Sequence, residues 1–327
     1  MDRRTFLRGL STGLLAAPVA AQRATNSIAR IGILSIRKPN TQSALNDALF
    51  DGLRDHGYVV GRNLLIEFPD AQEREDLLHE AAAKLVSSKV DLILVIGPAP
   101  MEAARQATKT IPLVMVASSA DPVAEGFAQS LARPGGNITG LTYAEPDRFK
   151  KQLELLKAVA PRTDRVVLLW DFDVQTYRRF WQAPLADAGR ILKIAVEEPV
   201  RVRSPADLPG AFAAIEQRAN ALVVASGGTN FNARDEIARL ALLHRLPAIA
   251  AFKEFPQAGL LMSYGPDLPD INRRAAGYVD RILKGAQASD LPIELPNKFE
   301  LFINGKTVAA LDLTIPPSVK ARADQVL

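Results

Sequence analysis

A chain of 327 residues with 48% hydrophobic and 23% charged residues is long enough for two core-forming lobes and far from the composition of a disordered chain. The formal net charge is only +4, and residues 1–21 carry +2 of it, with Arg3, Arg4 and Arg8 against Asp2. No dense basic run follows, so nothing argues for a nucleic-acid face, and the absence of cysteine rules out disulfides, thiol catalysis and a lipidated cysteine.

The first stretch, Asp2-Arg3-Arg4-Thr5-Phe6-Leu7-Arg8 followed by a modest apolar run to Ala21, reads as a twin-arginine export signal ending in small residues. That apolar run is short of the ~20 residues a membrane span needs. A soluble periplasmic protein without a lipid anchor is therefore expected. Beyond a loose linker, Arg30–Ile36 reads as a strand, and Asn40 or Thr41 can cap a helix that ends near Gly57. Strand Asn63–Phe68, helix Glu73–Ser88, strand Val90–Ile96 and helix Ala99–Thr108 follow. Ile111–Val116 is the next strand, and Asp121-Pro122 has the form of an N-cap and first residue of a short helix over Val123–Leu131. After the turn Arg133–Asn137 comes the strand Ile138–Thr142. Such alternation is the signature of right-handed βαβ units on a parallel sheet.

The alternation then restarts. Helix Glu145–Ala160, strand Arg165–Trp170, helix Tyr177–Gly189, strand Ile191–Glu197 and helix Pro205–Arg218, capped by Ser204, build the next units. Strand Ala221–Ala225, helix Ala233–His244 and strand Pro247–Ala251 complete a second α/β lobe. Leu260–Tyr264 is a short strand, Pro266–Lys284 a long amphipathic helix, and Lys298–Asn304 alternates as a strand through Phe299, Leu301 and Ile303.

No chemistry of turnover is visible. His56, His79 and His244 each fall at or in a helix without metal-ligand spacing, and there is no nucleophile elbow, dinucleotide fingerprint or phosphate loop. Neither a catalytic centre, a metal nor a cofactor is expected. The strand ends instead offer small polar and aromatic groups. The first lobe contributes Ser35, Gly97, Ser118, Ser119 and Asp121; the second contributes Asp171, Phe172, Ser226, Thr229 and Asn230. The crossovers and the late strand add Thr142, Tyr143, Phe252 and Tyr264. Hydroxyls and N–H groups at helix starts suit a carboxylate, Asp121 or Asp171 suits an ammonium, and the rings suit a flat apolar body. An amino-acid-like zwitterion fits such a set, although Asp121 reads equally well as a helix cap alone.

Four segments carry a wider resemblance: ATKTIPLVM, ADPVAEGFAQSLARPGGNITGLT, LPAIAAFKEFPQAGLLMSYGP and PNKFELFINGKTVAALDLTIPPSVKARADQVL. They resemble, in the same order, the solute-binding proteins of ABC transporters of the tryptophan/tyrosine type, from about Arg30 to Leu327. The resemblance implies a type I periplasmic binding-protein fold: two α/β Rossmann-like lobes with parallel sheets joined by crossover strands, closing on a solute. It implies 28–142 with 252–287 as the first lobe and 143–251 with 288–327 as the second. It also implies a monomeric partner of a membrane permease, with a sensor that signals to a membrane receptor as the alternative. The chain departs from the family at two strand ends, where Asp171-Phe172 replaces a common Asn-Pro and Ser226–Asn230 an Asp-Pro-type turn.

Overall fold

A computed structural model of the chain describes residues 28–36, 43–72, 74–119, 121–144, 148–171 and 178–327. The segment 1–21, the proposed caps Asn40 and Thr41, and Phe172 lie outside the described residues. In the first lobe, strands β1 (Ala29–Ser35), β2 (Leu64–Glu67), β3 (Leu92–Ile96), β4 (Leu113–Ser118) and β5 (Ile138–Thr142) alternate with helices Ser43–Asp55, Leu78–Ser87 and Pro98–Ala107. In the second, β6 (Arg165–Trp170), β7 (Ala195–Val196), β8 (Val200–Arg201), β9 (Ala221–Val224) and β10 (Ala248–Ala250) alternate with helices that include Arg148–Val159, Ala183–Leu192, Leu208–Glu216 and Arg234–Leu243. The chain closes with β11 (Met262–Pro266), the helix Leu268–Leu283, and β12 (Ile293–Glu294), β13 (Phe299–Ile303) and β14 (Gln325–Val326).

Among the described residues the strands form two sheets. The first is all-parallel, in the order β12-β5-β4-β3-β1-β2. The second runs β14-β13-β11-β10-β9-β6-β7, with β8 also on β6, and is parallel except where β13 meets β11. The central strands are apolar along their whole length because helices cover both faces: Leu92–Val95 and Val166–Leu169 are essentially without solvent contact. Helix Leu268–Leu283 lays Ile271, Ala275, Tyr278 and Val279 against the first lobe and packs most extensively on Ser43–Asp55.

Two expectations are corrected by this topology. Segment 252–287 does not belong wholly to the first lobe, since β11 pairs with β10 and β13 in the second sheet. Likewise 288–327 does not belong wholly to the second, since β12 pairs with β5 in the first. The chain thus crosses between lobes after Thr142, after Pro266 and between Glu294 and Phe299. The helix expected over Val123–Leu131 is also absent. Gly126 adopts φ 65°, and the backbone N–H groups of Phe127 and Ala128 both close on the Pro122 carbonyl, which curls the segment into turns.

Candidate functional site

A cleft of about 780 Å³, counting its open mouth, lies between the lobes at the carboxyl ends of the parallel strands. Open α/β sheets hold ligands at that edge because strand ends and helix starts leave polar backbone there. The first lobe lines it with Ser35 and Ile36 at the end of β1, Ile96–Pro100 where β3 runs into a helix, and Ala117 and Ser119 at the end of β4. The second lobe supplies Asp171 after β6, Trp181, and Ser226–Thr229 after β9, and the crossover regions supply Tyr143, Phe252 and Leu268. Glu75, in a turn ahead of helix Leu78–Ser87, adds a second carboxylate.

The rim of the first lobe is shaped by a bulge. The β4–β5 register slips between Met115 and Ser118, and Ala117 adopts φ 51°, an uncommon conformation for a residue with a side chain. The slip turns Ala117 towards the cleft. Beneath it, the Ser118 carbonyl accepts the Tyr143 N–H at 2.8 Å and the Thr142 hydroxyl at 3.0 Å, which fixes where Tyr143 enters. Ser118 and Thr142 are therefore buried supports of the cleft and do not line it. The Tyr143 ring meets Phe252 edge-on at 5.5 Å.

In the second lobe the carboxylate of Asp171 accepts the Asn230 N–H at 2.9 Å. The Asn230 side chain in turn donates to the carbonyls of Leu169 (3.2 Å) and Ala225 (2.9 Å), tying the ends of β6 and β9 together below the carboxylate. Asn230 is wholly buried by this task and stands behind the cleft wall. Gly227 permits the arrangement: a Cβ there would fall inside the Asp171 carboxylate.

Of the expected contacts, the structure gathers Ser35, Gly97, Ser119, Tyr143, Asp171, Ser226, Thr229 and Phe252 around one cleft. Three others, Ser118, Thr142 and Asn230, sit one layer back. Two lie elsewhere. Asp121 is exposed and caps its own turn, accepting from the N–H groups of Val123 (2.9 Å) and Ala124 (3.2 Å). Tyr264 rests its ring on Phe299 at 5.6 Å, and its carbonyl accepts from Gln152 at 2.9 Å. Sequence reasoning missed Trp181 and Glu75 because it placed both inside regular helices. Trp181 instead belongs to a wide turn over Arg178–Gln182, which carries its ring to the cleft.

A family model described as ABC transporter substrate binding protein matches residues 30–327. The chain is 27% identical over 284 residues to a protein of Clostridioides difficile (strain R20291) named as a tyrosine-binding protein, covering 86% of this chain and 81% of that one. A solved structure of a conserved domain protein from Vibrio cholerae is 26% identical, with TM-score 0.83, covering 92% of this chain and all of the other. A solved structure from Streptococcus pneumoniae, described as an ABC domain in complex with L-Trp, is 24% identical at TM-score 0.82 over the same shares. The two lobes have the type I periplasmic binding-protein fold of such structures.

Proposed function

The chain belongs to the ABC transporter substrate binding proteins, and from that premise we propose that it captures an amino acid with a flat side chain in its inter-lobe cleft and delivers it to a membrane permease. One observation carries the ligand class: a single cleft combines a held carboxylate, Asp171, with hydroxyls of Ser35, Ser119 and Thr229 and with the rings of Tyr143, Trp181 and Phe252. A carboxylate takes an ammonium, hydroxyls and helix-start N–H groups take a carboxylate, and rings take a planar body. The 27% identity to a tyrosine-binding protein supports the same class. The work is binding and lobe closure, without a bond-making step. The twin-arginine stretch supports export to the periplasm, where a monomer free of a lipid anchor would meet its ligand.

Native mass spectrometry of freshly purified protein, followed by titration calorimetry with L-tyrosine, L-tryptophan and L-phenylalanine, tests this. A one-to-one complex with at least one of them, at a dissociation constant of roughly micromolar or below (about −8 kcal/mol), is expected. A co-purified ligand that lacks an amino group, together with no response to any of the three, would overturn the ligand class and leave the family membership standing.

A further inference from the structure

Behind the aromatic wall of the cleft lies a buried guanidinium. Arg148 is the first residue of helix Arg148–Val159 and is only 4% exposed. Its guanidinium carbon stands 5.1 Å from the centre of the Tyr143 ring, 5.3 Å from Trp181 and 4.8 Å from Phe149. Phe149 and Trp181 also touch one another, with ring centres 5.0 Å apart. Two of the three rings, Tyr143 and Trp181, line the cleft. A guanidinium within cation–π range of three rings holds them by more than apolar packing, because its charge attracts the face of each ring.

We propose that Arg148 is a positioning residue that sets both the geometry and the polarity of the binding cleft. It clamps a ring from the first crossover (Tyr143) to a ring from the second lobe (Trp181), so that the wall is formed before the ligand arrives. Its charge also reaches the cleft through those rings, where little water screens it. A ring with a cation on its far face is a poor seat for a second cation and a good one for electron-rich or anionic groups. Asp171 stands in the same cleft as a carboxylate. The cleft is thereby polarised: the ammonium of a zwitterion goes to the Asp171 side, and its carboxylate and electron-rich ring go to the Tyr143–Trp181 side. This deepens the proposed amino-acid reading and rests on it for the choice of probes.

Arg148→Met and Arg148→Lys are compared with the unmodified protein against L-tyrosine, tyramine (no carboxylate) and 3-(4-hydroxyphenyl)propionate (no ammonium). Arg148→Met is expected to weaken L-tyrosine and the propionate about tenfold or more, tyramine changing less than about threefold, and Arg148→Lys to recover most of the ranking. Ligand-free tryptophan emission is read alongside. The chain has two tryptophans, and Trp170 lies beside Arg201, so a change on replacing Arg148 reports on Trp181. An equal loss for all three probes in a folded Arg148→Met variant would reduce Arg148 to a structural role and overturn the proposal, as would no loss at all. If Arg148→Met does not fold, the Lys variant decides: retained selectivity supports the proposal and a uniform loss overturns it. If the unmodified protein binds none of the probes, the amino-acid reading fails by itself. The clamp then stands or falls on emission, and an unchanged spectrum in Arg148→Met sinks it.

Discussion

A side chain can approach a backbone only as closely as the Cβ it meets allows, and at Gly227 there is no Cβ in the way of Asp171. The carboxylate rests on that glycine and takes the Asn230 N–H, so its position is set by backbone rather than by a mobile side chain. Gly227 has an extended backbone (φ −72°, ψ −179°) that alanine adopts freely, so its role is space and not conformation. Gly227→Ala should therefore leave the fold intact and displace Asp171. If Asp171 holds an ammonium through a charge-assisted hydrogen bond of roughly 1.5–3 kcal/mol, affinity for L-tyrosine should fall about tenfold or more. Gly210→Ala, where an added methyl meets open space, is the control that should leave affinity unchanged. Unaltered calorimetric affinity in a stable Gly227→Ala variant would remove Asp171 from the binding contacts. The sequence alone could not separate Asp171 from Asp121. Both are acids placed just after an apolar strand, and both accept backbone N–H groups. They differ in where the fold puts them: Asp121 is exposed and caps the turns that follow it, whereas Asp171 lies on the wall of the cleft beside the Ser226–Thr229 turn.

At the scale of elements, strands buried on both faces announced themselves as apolar runs, and Ile138–Thr142 and Arg165–Trp170 fall where those runs predict. Of the strand expected over Ile191–Glu197 only Ala195–Val196 forms, as β7, because the preceding helix runs on to Leu192; the two-residue strands β8, β12 and β14 carry no period to read. β12 matters most, because Ile293 pairs with Gly140 and Glu294 with Leu141 across a long stretch of chain, and local pattern holds no information about such a return. What secures β12 is chemistry on the long helix. Glu294 pairs with Arg274, and the Tyr278 hydroxyl donates to the Pro292 carbonyl at 2.6 Å. Burial pushes the Glu294 carboxyl up, but the hydrogen bond from Arg274, with the charges of Arg274 and Arg281, more than offsets this and holds it below the usual carboxylate range. A carboxyl depressed in the folded state contributes stability above its unfolded pKa of ~4.3, and that contribution is lost as pH falls through the folded value. Thermal melts of the unmodified protein and Glu294→Gln should therefore differ at neutral pH and converge as pH drops below about 4. Parallel melting curves across that range would show that the ion pair contributes nothing to holding β12.

For the whole molecule, the placement of the rings poses a problem of access. Tyr143 and Trp181 are each 6% exposed and Phe252 2%, so a planar ligand cannot reach them without the lobes parting. The chain connecting the lobes is suited to that. It crosses three times over short spans, and Lys253 gathers two of the crossings, binding Asp267 at 2.9 Å and Glu300 at 3.5 Å. Burial works against the Lys253 charge, but the bond to Asp267 and the charges of Asp267, Glu300 and Glu254 prevail and raise its pKa, so the tie is intact at any physiological pH. Rotation about such a pinned set of crossings moves each lobe as a body. A ligand that touches both lobes favours the closed arrangement by its differential affinity, and at a hundredfold excess over its dissociation constant it adds about 2.7 kcal/mol of stability. The ligand-free protein in solution should therefore sample a more open state than the one described here. Adding saturating L-tyrosine should reduce the radius of gyration in small-angle scattering and slow hydrogen exchange at Thr142–Tyr143, Phe252 and Asp267–Leu268, while exchange in β3 and β9 stays as it was. Binding at full affinity with scattering and crossover exchange unchanged would mean that the cleft admits its ligand by a local gate, and closure of the lobes would have to be given up.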